Sequence, residues 1–173
     1  MNNIFNLDKI FYAIISMVTH NDLSQASLLL LLRKNQILLA MKKRGFGVGH
    51  WNGVGGKPNP GESIEQTTMR ECEEEIQVTP KKIQHVADLN FFFSDKPEWN
   101  QQVVVYTATE WEGEPKETEE MKPQWFDLDK IPYDSMWVDD KHWLPKVLAG
   151  EKVKGEFILT PDQTLLDFSL TAM

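Results

Sequence analysis

The sequence predicts an α/β fold in which a mixed sheet lies between helices, and three features carry that expectation. The run ASLLLLL, residues 26–32, is apolar at almost every position, as a strand covered on both faces requires. SIEQ, residues 63–66, opens a helical pattern with Ile64, Thr68, Cys72 and Ile76 on one arc. Strand-like segments with turn signals then alternate with few helices, which suits a sheet that needs cover on both sides.

Taken in chain order, residues 1–25 read as an N-terminal extension. Ile4, Leu7, Phe11, Ile14, Ile15 and Val18 fall on one stripe, predicting an amphipathic helix that packs on the domain; the alternative is that Met17 is the natural start. Residues 10–18 resemble the apolar core of a signal peptide, but the charged start is poor and no small-residue cleavage site follows. Residues 26–32 and 36–41 flank the turn RKN and predict a hairpin. The main domain is expected to run from residue 26 to residue 173. A glycine-punctuated loop occupies residues 44–61. Ser63 and Gln66 form a capping box for a helix over residues 63–76. Strands are expected around residues 86–93 and 102–109, then an acidic loop, EWEGEPKETEE, leading to QWFDL. Near the end, VDDKHWLPKVLAG reads as a helix that Pro145 kinks or breaks.

The balance is acidic, with 26 Asp and Glu against 18 Lys and Arg and a formal net charge of -8. That argues against a nucleic-acid or anionic-membrane surface, which needs a basic face. A small phosphorylated ligand remains compatible, because a bound cation reverses the local field. No apolar run reaches the roughly 18 residues of a membrane span. Cys72 is the sole cysteine, which excludes an intrachain disulfide and a cysteine-based zinc cluster and points to a reducing compartment, the cytoplasm.

RECEEE, residues 70–75, sets four glutamates beside one arginine. Glu71, Glu74 and Glu75 are three and four residues apart and so point toward one place. Two readings are open: a solvated acidic face, or an all-oxygen site for Mg²⁺ or Mn²⁺. Like charges at this spacing repel, and anions in the last turns of a helix oppose its dipole. A sequence that carries both penalties together favours the metal site. Gly53, Gly55 and Gly56 would let a ligand approach the backbone closely, and Lys57 beside them offers a phosphate contact.

Together these residues resemble the Nudix hydrolase signature, G-x5-E-x7-R-E-U-x-E-E-x-G-U with U bulky and apolar. Gly56, Glu62, Arg70, Glu71, Glu74 and Glu75 stand at its defining positions, and Cys72 and Val78 at two of the U positions. Gln77 stands where the family has a glycine, which puts the end of the helix in question. The resemblance implies an α/β/α sandwich with a mixed β-sheet and Mg²⁺-dependent hydrolysis of a nucleoside diphosphate linked to another group, Mn²⁺ being a possible substitute. It also implies that Glu71, Glu74, Glu75, the Gly55 carbonyl and Glu120 hold the metal, with Glu117 and Glu119 as rivals of Glu120. Arg70 would orient the glutamates.

Similarity extends to MKKRGFGVGHWNGVGGK before this stretch and EEMKPQWFDLDKIPYDSMWVDDKHWLP after it. Both look like the branch of the family that hydrolyses oxidised purine nucleoside triphosphates, such as 8-oxo-dGTP, to monophosphate and pyrophosphate. On that match Asn52, Trp137, Asp139 and Asp140 recognise the base. Ser27, Lys42, Phe46, Val54, Gly55, Gly56 and Lys57 are the other substrate contacts. Trp137 offers a flat face for a purine, and the Asp139–Asp140 pair can present an acceptor beside a donor if one is protonated; a helix N-cap is the plainer reading of that pair. The expected protein is a monomer acting on a small nucleotide. The rival functions are a Nudix pyrophosphatase acting on ADP-ribose or another diphosphate, and a non-catalytic nucleotide-binding domain.

Overall fold

The computed structural model describes residues 23–173; the expected N-terminal helix and the alternative start at Met17 lie outside them. Strand β1 (Ser24–Arg33) begins inside the stretch expected to be an extension, because Ser24 and Gln25 already pair with Gln101 and Gln102. It turns at Lys34 into β2 (Gln36–Lys42), the expected hairpin. After β3 (Trp51–Asn52) comes helix α1 (Ile64–Ile76), then β4 (Thr79–Pro80), β5 (Gln84–Phe93), β6 (Gln101–Ala108), β7 (Trp111–Glu112) and β8 (Met121–Asp127). Helix α2 (Asp140–Leu148) and the strands β9 (Val153–Leu159) and β10 (Leu165–Ala172) complete the chain.

One mixed sheet runs in the order β10-β9-β5-β6-β1-β2-β3, with β8 also paired to β2. The β1–β6 and β5–β9 pairs are parallel and the other pairs antiparallel. The leucine run of β1 explains why helices lie on both sides. Leu29 and Leu31 pack into one core with Cys72 and Ile76 of α1, while Leu28 and Leu30 pack into another with Trp143 and Leu144 of α2. Alternation at a period of two delivers successive side chains to opposite faces, so a strand that is apolar throughout sits only between two covered faces.

Local signals set the helix ends. Ser63 Oγ accepts from Gln66 N at 3.2 Å and Gln66 Oε1 accepts from Ser63 N at 2.8 Å, closing the capping box. Gln77 departs from the family glycine without moving the helix end: it takes the left-handed conformation itself (φ 60, ψ 38) and its N–H still bonds Glu73 O. Pro145 lies inside α2, which continues to Leu148 instead of breaking. The carbonyl deprived of a partner four residues back belongs to exposed Lys141, where water can satisfy it. Among the described residues no helix is long and apolar enough to cross a membrane.

Candidate active site

The backbone after the glycine-punctuated loop runs beside β2 and then beside β1. Asn52 pairs with Ala40, Val54 exchanges both backbone bonds with Leu29, and Gly56 O accepts from Ser27 N at 2.8 Å. This contact is too close for side chains. A Cβ on Gly55 would lie 2.1 Å from Ser27 O, and one on Gly56 would lie 2.5 Å from the Glu71 carboxyl. The two glycines therefore press the loop onto the sheet and against the glutamate helix at once.

On α1, Arg70 organises the acids. Its Nε and Nη2 hold both oxygens of Glu62 at 2.9 Å, and its Nη1 donates to Glu71 at 2.8 Å and to Glu74 at 3.0 Å. The guanidinium holds the Glu62 carboxyl down at about 2, helped by the Asn59 N–H. Glu75 has other partners. It is 3% exposed, accepts from Gly55 N at 3.0 Å and pairs with Lys42 Nζ at 3.3 Å. Burial pushes its carboxyl up to about 7, against the pull of Gly55 and Lys42.

As placed, the three glutamates expected to share a metal have different cation partners. Arg70 pairs with Glu71 and Glu74 and Lys42 pairs with Glu75, and the Glu74 side chain is 59% exposed. Among the described residues no three His, Cys, Asp or Glu side chains stand close enough to hold a metal ion as they are placed. The donor set nevertheless fits a hard divalent cation, being all oxygen and carrying surplus negative charge: one guanidinium faces the three carboxylates of Glu62, Glu71 and Glu74.

The acidic loop reaches the same place. Its Glu117 pairs with Lys43 at 2.8 Å, and Glu119, almost fully exposed, lies 3.8 Å from Arg44. Glu120 pairs with Arg44, which holds its carboxyl below the usual range with further help from Lys42. Lys42 also pairs with Glu75, so of the three rivals Glu120 is the one within reach of the same ammonium.

Beyond these acids opens a cavity of about 230 Å³. Ser27, Lys42, Phe46, Asn52, Gly55, Gly56, Trp137, Asp139 and Asp140 all line it. Two expected contacts do not. Val54 is buried in the core on the α1 side, because its backbone pairing with Leu29 turns its side chain there. Lys57 is exposed outside the cavity, and its carbonyl accepts from Arg70 Nη2.

Asp139 and Asp140 are 6% and 2% exposed. Asp139 stands at the N-cap position of α2 but makes no capping bond; its Oδ2 accepts from Trp143 Nε1 at 3.1 Å. Asp140 Oδ2 accepts from Trp137 N at 3.0 Å. Burial raises Asp139 to about 6, and burial together with the charge of Asp139 raises Asp140 well above the ordinary 3.8 of an aspartate. Both shifts favour the protonated carboxyl, the form in which the pair offers a donor beside an acceptor.

Sequence reasoning assigned no role to His50, yet its ring lies parallel to that of Trp137 at 4.5 Å, and Phe46 stacks on Trp137 at 5.3 Å. His50 Nδ1 is buried without a hydrogen-bond partner among the described residues. Phe91 and Phe93 line the cavity, while Phe92 between them is fully buried. Strand alternation is the signal that distinguishes the two sets, once the face of β5 turned to the cavity is known.

The NUDIX domain family model matches residues 23–147. The oxidized purine nucleoside triphosphate hydrolase of Mus musculus is 42% identical over 144 residues, covering 83% of this chain and 92% of its own. That of Danio rerio is 41% identical over the same shares. Among solved structures, the crystal structure of the MutT protein from Bacillus halodurans aligns with a TM-score of 0.74 at 31% identity, covering 86% of this chain and 97% of that one. The family model spans more than half of the chain and the similarity extends over nearly whole relatives, so the chain belongs to the NUDIX domain family.

Proposed function

We propose that this Nudix hydrolase cleaves oxidised purine nucleoside triphosphates of the 8-oxo-dGTP type to the nucleoside monophosphate and pyrophosphate, removing them before a polymerase uses them. The observation that carries this reading is the buried Asp139–Asp140 pair beside Trp137, in the same cavity that Gly55, Gly56 and Lys42 line at the glutamate helix. The similarity to the two purine triphosphate hydrolases supports it.

Glu71, Glu74, Glu75 and Glu120, with the Gly55 carbonyl, would hold Mg²⁺, or Mn²⁺ in its place. The ion supplies charge neutralisation for the diphosphate and a more acidic attacking water. Arg70 keeps Glu62, Glu71 and Glu74 in register. Asn52 and the aspartate pair read the edge of the base, an oxidised purine differing from the normal one in its donors and acceptors. Trp137 stacks on the base, and Ser27, Lys42 and Phe46 border it. The protein works as a monomer on a small nucleotide, in a reducing compartment such as the cytoplasm, away from nucleic acid and membrane; the acidic net charge of -8 and the buried lone Cys72 suit this.

The test is turnover of 8-oxo-dGTP before and after chelation of divalent ions. Activity that disappears with EDTA, returns with Mg²⁺ or Mn²⁺ and releases pyrophosphate is expected. Release of inorganic phosphate instead, or turnover indifferent to chelation, would contradict the reading.

A further inference from the structure

Thr118 lies in the acidic loop between β7 and β8, and no role is assigned to it above. Its hydroxyl donates to Glu75 O at 2.9 Å and accepts from both Glu120 N and Met121 N at 3.2 Å. One hydroxyl has one proton and two lone pairs, so all its hydrogen-bonding capacity is engaged. Its partners belong to two elements that are remote in sequence: the last turn of the glutamate helix, and the backbone that carries Glu120.

The rest of the loop gives the same attachment less directly. Lys116 N caps Ile76 O at 3.0 Å, Thr118 N bonds Met121 O at 2.9 Å, and Lys43 Nζ donates to Glu117 and to Thr118 O. The last carbonyls of a helix have no partner within it, and here the loop supplies them. Among the described residues, only the Thr118 hydroxyl joins the Glu75 backbone to the Glu120 backbone through a single atom. Glu75 is also the carboxylate held inside the fold by Gly55 N and Lys42.

We infer that Thr118 is a positioning residue that fixes the spacing between Glu75 and Glu120, and with it the divalent-ion site. It touches neither substrate nor metal and acts through the two backbones. This rests on the reading above that both glutamates serve the metal.

The test compares Mn²⁺ binding, followed by the electron paramagnetic resonance of the free ion, in the unaltered protein and four variants: Thr118→Val, Thr118→Ser, Glu120→Gln and the Thr118→Val/Glu120→Gln double variant. Thr118→Val keeps the shape and removes the hydroxyl; it should weaken Mn²⁺ binding by about ten-fold, as loss of a ligand-orienting bond does. Thr118→Ser should bind Mn²⁺ within about two-fold of the unaltered protein, because the hydroxyl is what matters. The double variant should be no weaker than Glu120→Gln alone, since residues acting through one contact are not additive. Nucleotide KM should change less than kcat in Thr118→Val, and melting curves confirm that each variant is folded. Equal binding by Thr118→Val and the unaltered protein, equal losses in the Val and Ser variants, or additive losses in the double variant would overturn the inference. If Glu120→Gln itself binds Mn²⁺ normally, the assignment of Glu120 to the metal fails, and this inference fails with it.

Discussion

Asp139 is costly to keep charged, because burial raises its carboxyl from 3.8 to about 6. The folded state then binds its proton more tightly than the unfolded chain does. Its contribution to stability is fully present below about pH 4 and is lost as pH rises through 6. Glu75 acts in the same sense, between 4.5 and about 7. The reverse holds for Glu62, held near 2 by Arg70, whose contribution is present above 4.5 and lost as pH falls toward 2. Relative to Asp139→Asn, the unaltered protein should therefore lose stability between pH 4 and pH 7, by at most about 3 kcal/mol. Urea denaturation at intervals across that range measures it, and a difference independent of pH would count against a titrating Asp139. The same variant should lose most of its discrimination between 8-oxo-dGTP and dGTP. Comparable kcat/KM ratios before and after the substitution would remove the aspartate pair from base reading.

The glutamate helix shows how much an element discloses by itself. Its N-terminus was legible because a capping box is local chemistry, and its apolar arc because the period is local too. The C-terminus was less so: a glutamine stands where a glycine is expected, and only the surrounding structure makes it adopt the left-handed conformation. Gln77→Gly should relieve that strain and stabilise the protein by about 0.5–1 kcal/mol. A thermal melt that moves down instead would show that the Gln77 side chain contributes more than its backbone costs. What the helix period could not reveal was the division of the acids. Spacing brings Glu71, Glu74 and Glu75 to one side, but which cation each meets depends on Lys42 from β2 and on the path of the Arg70 side chain. Likewise Val54 stood among the glycines of the motif, and only the bridge to Leu29 shows that its side chain belongs to the core.

At the scale of the molecule, β1 divides the interior into two cores and carries Ser27 at the cavity. The uninterrupted leucines announced that arrangement in the sequence, since no other placement buries both faces. Leu30, fully buried between strand neighbours and the α2 side, should cost about 2–5 kcal/mol on replacement by alanine; a loss below 1 kcal/mol by denaturation would mean that this face is loosely packed. The cavity was less legible, because β1, β2, β5, β6 and the segment before α2 all contribute to its walls. Trp137, Asp139 and Asp140 entered the sequence reading through resemblance, whereas His50, and the choice of Phe91 and Phe93 over Phe92, became visible only when those walls met.

The most direct test of the account is a steady-state comparison of 8-oxo-dGTP, dGTP and ADP-ribose with Mg²⁺, each product being identified. The account predicts a strong preference for 8-oxo-dGTP, with the monophosphate and pyrophosphate as products. Preference for ADP-ribose, or equal use of 8-oxo-dGTP and dGTP, would contradict it.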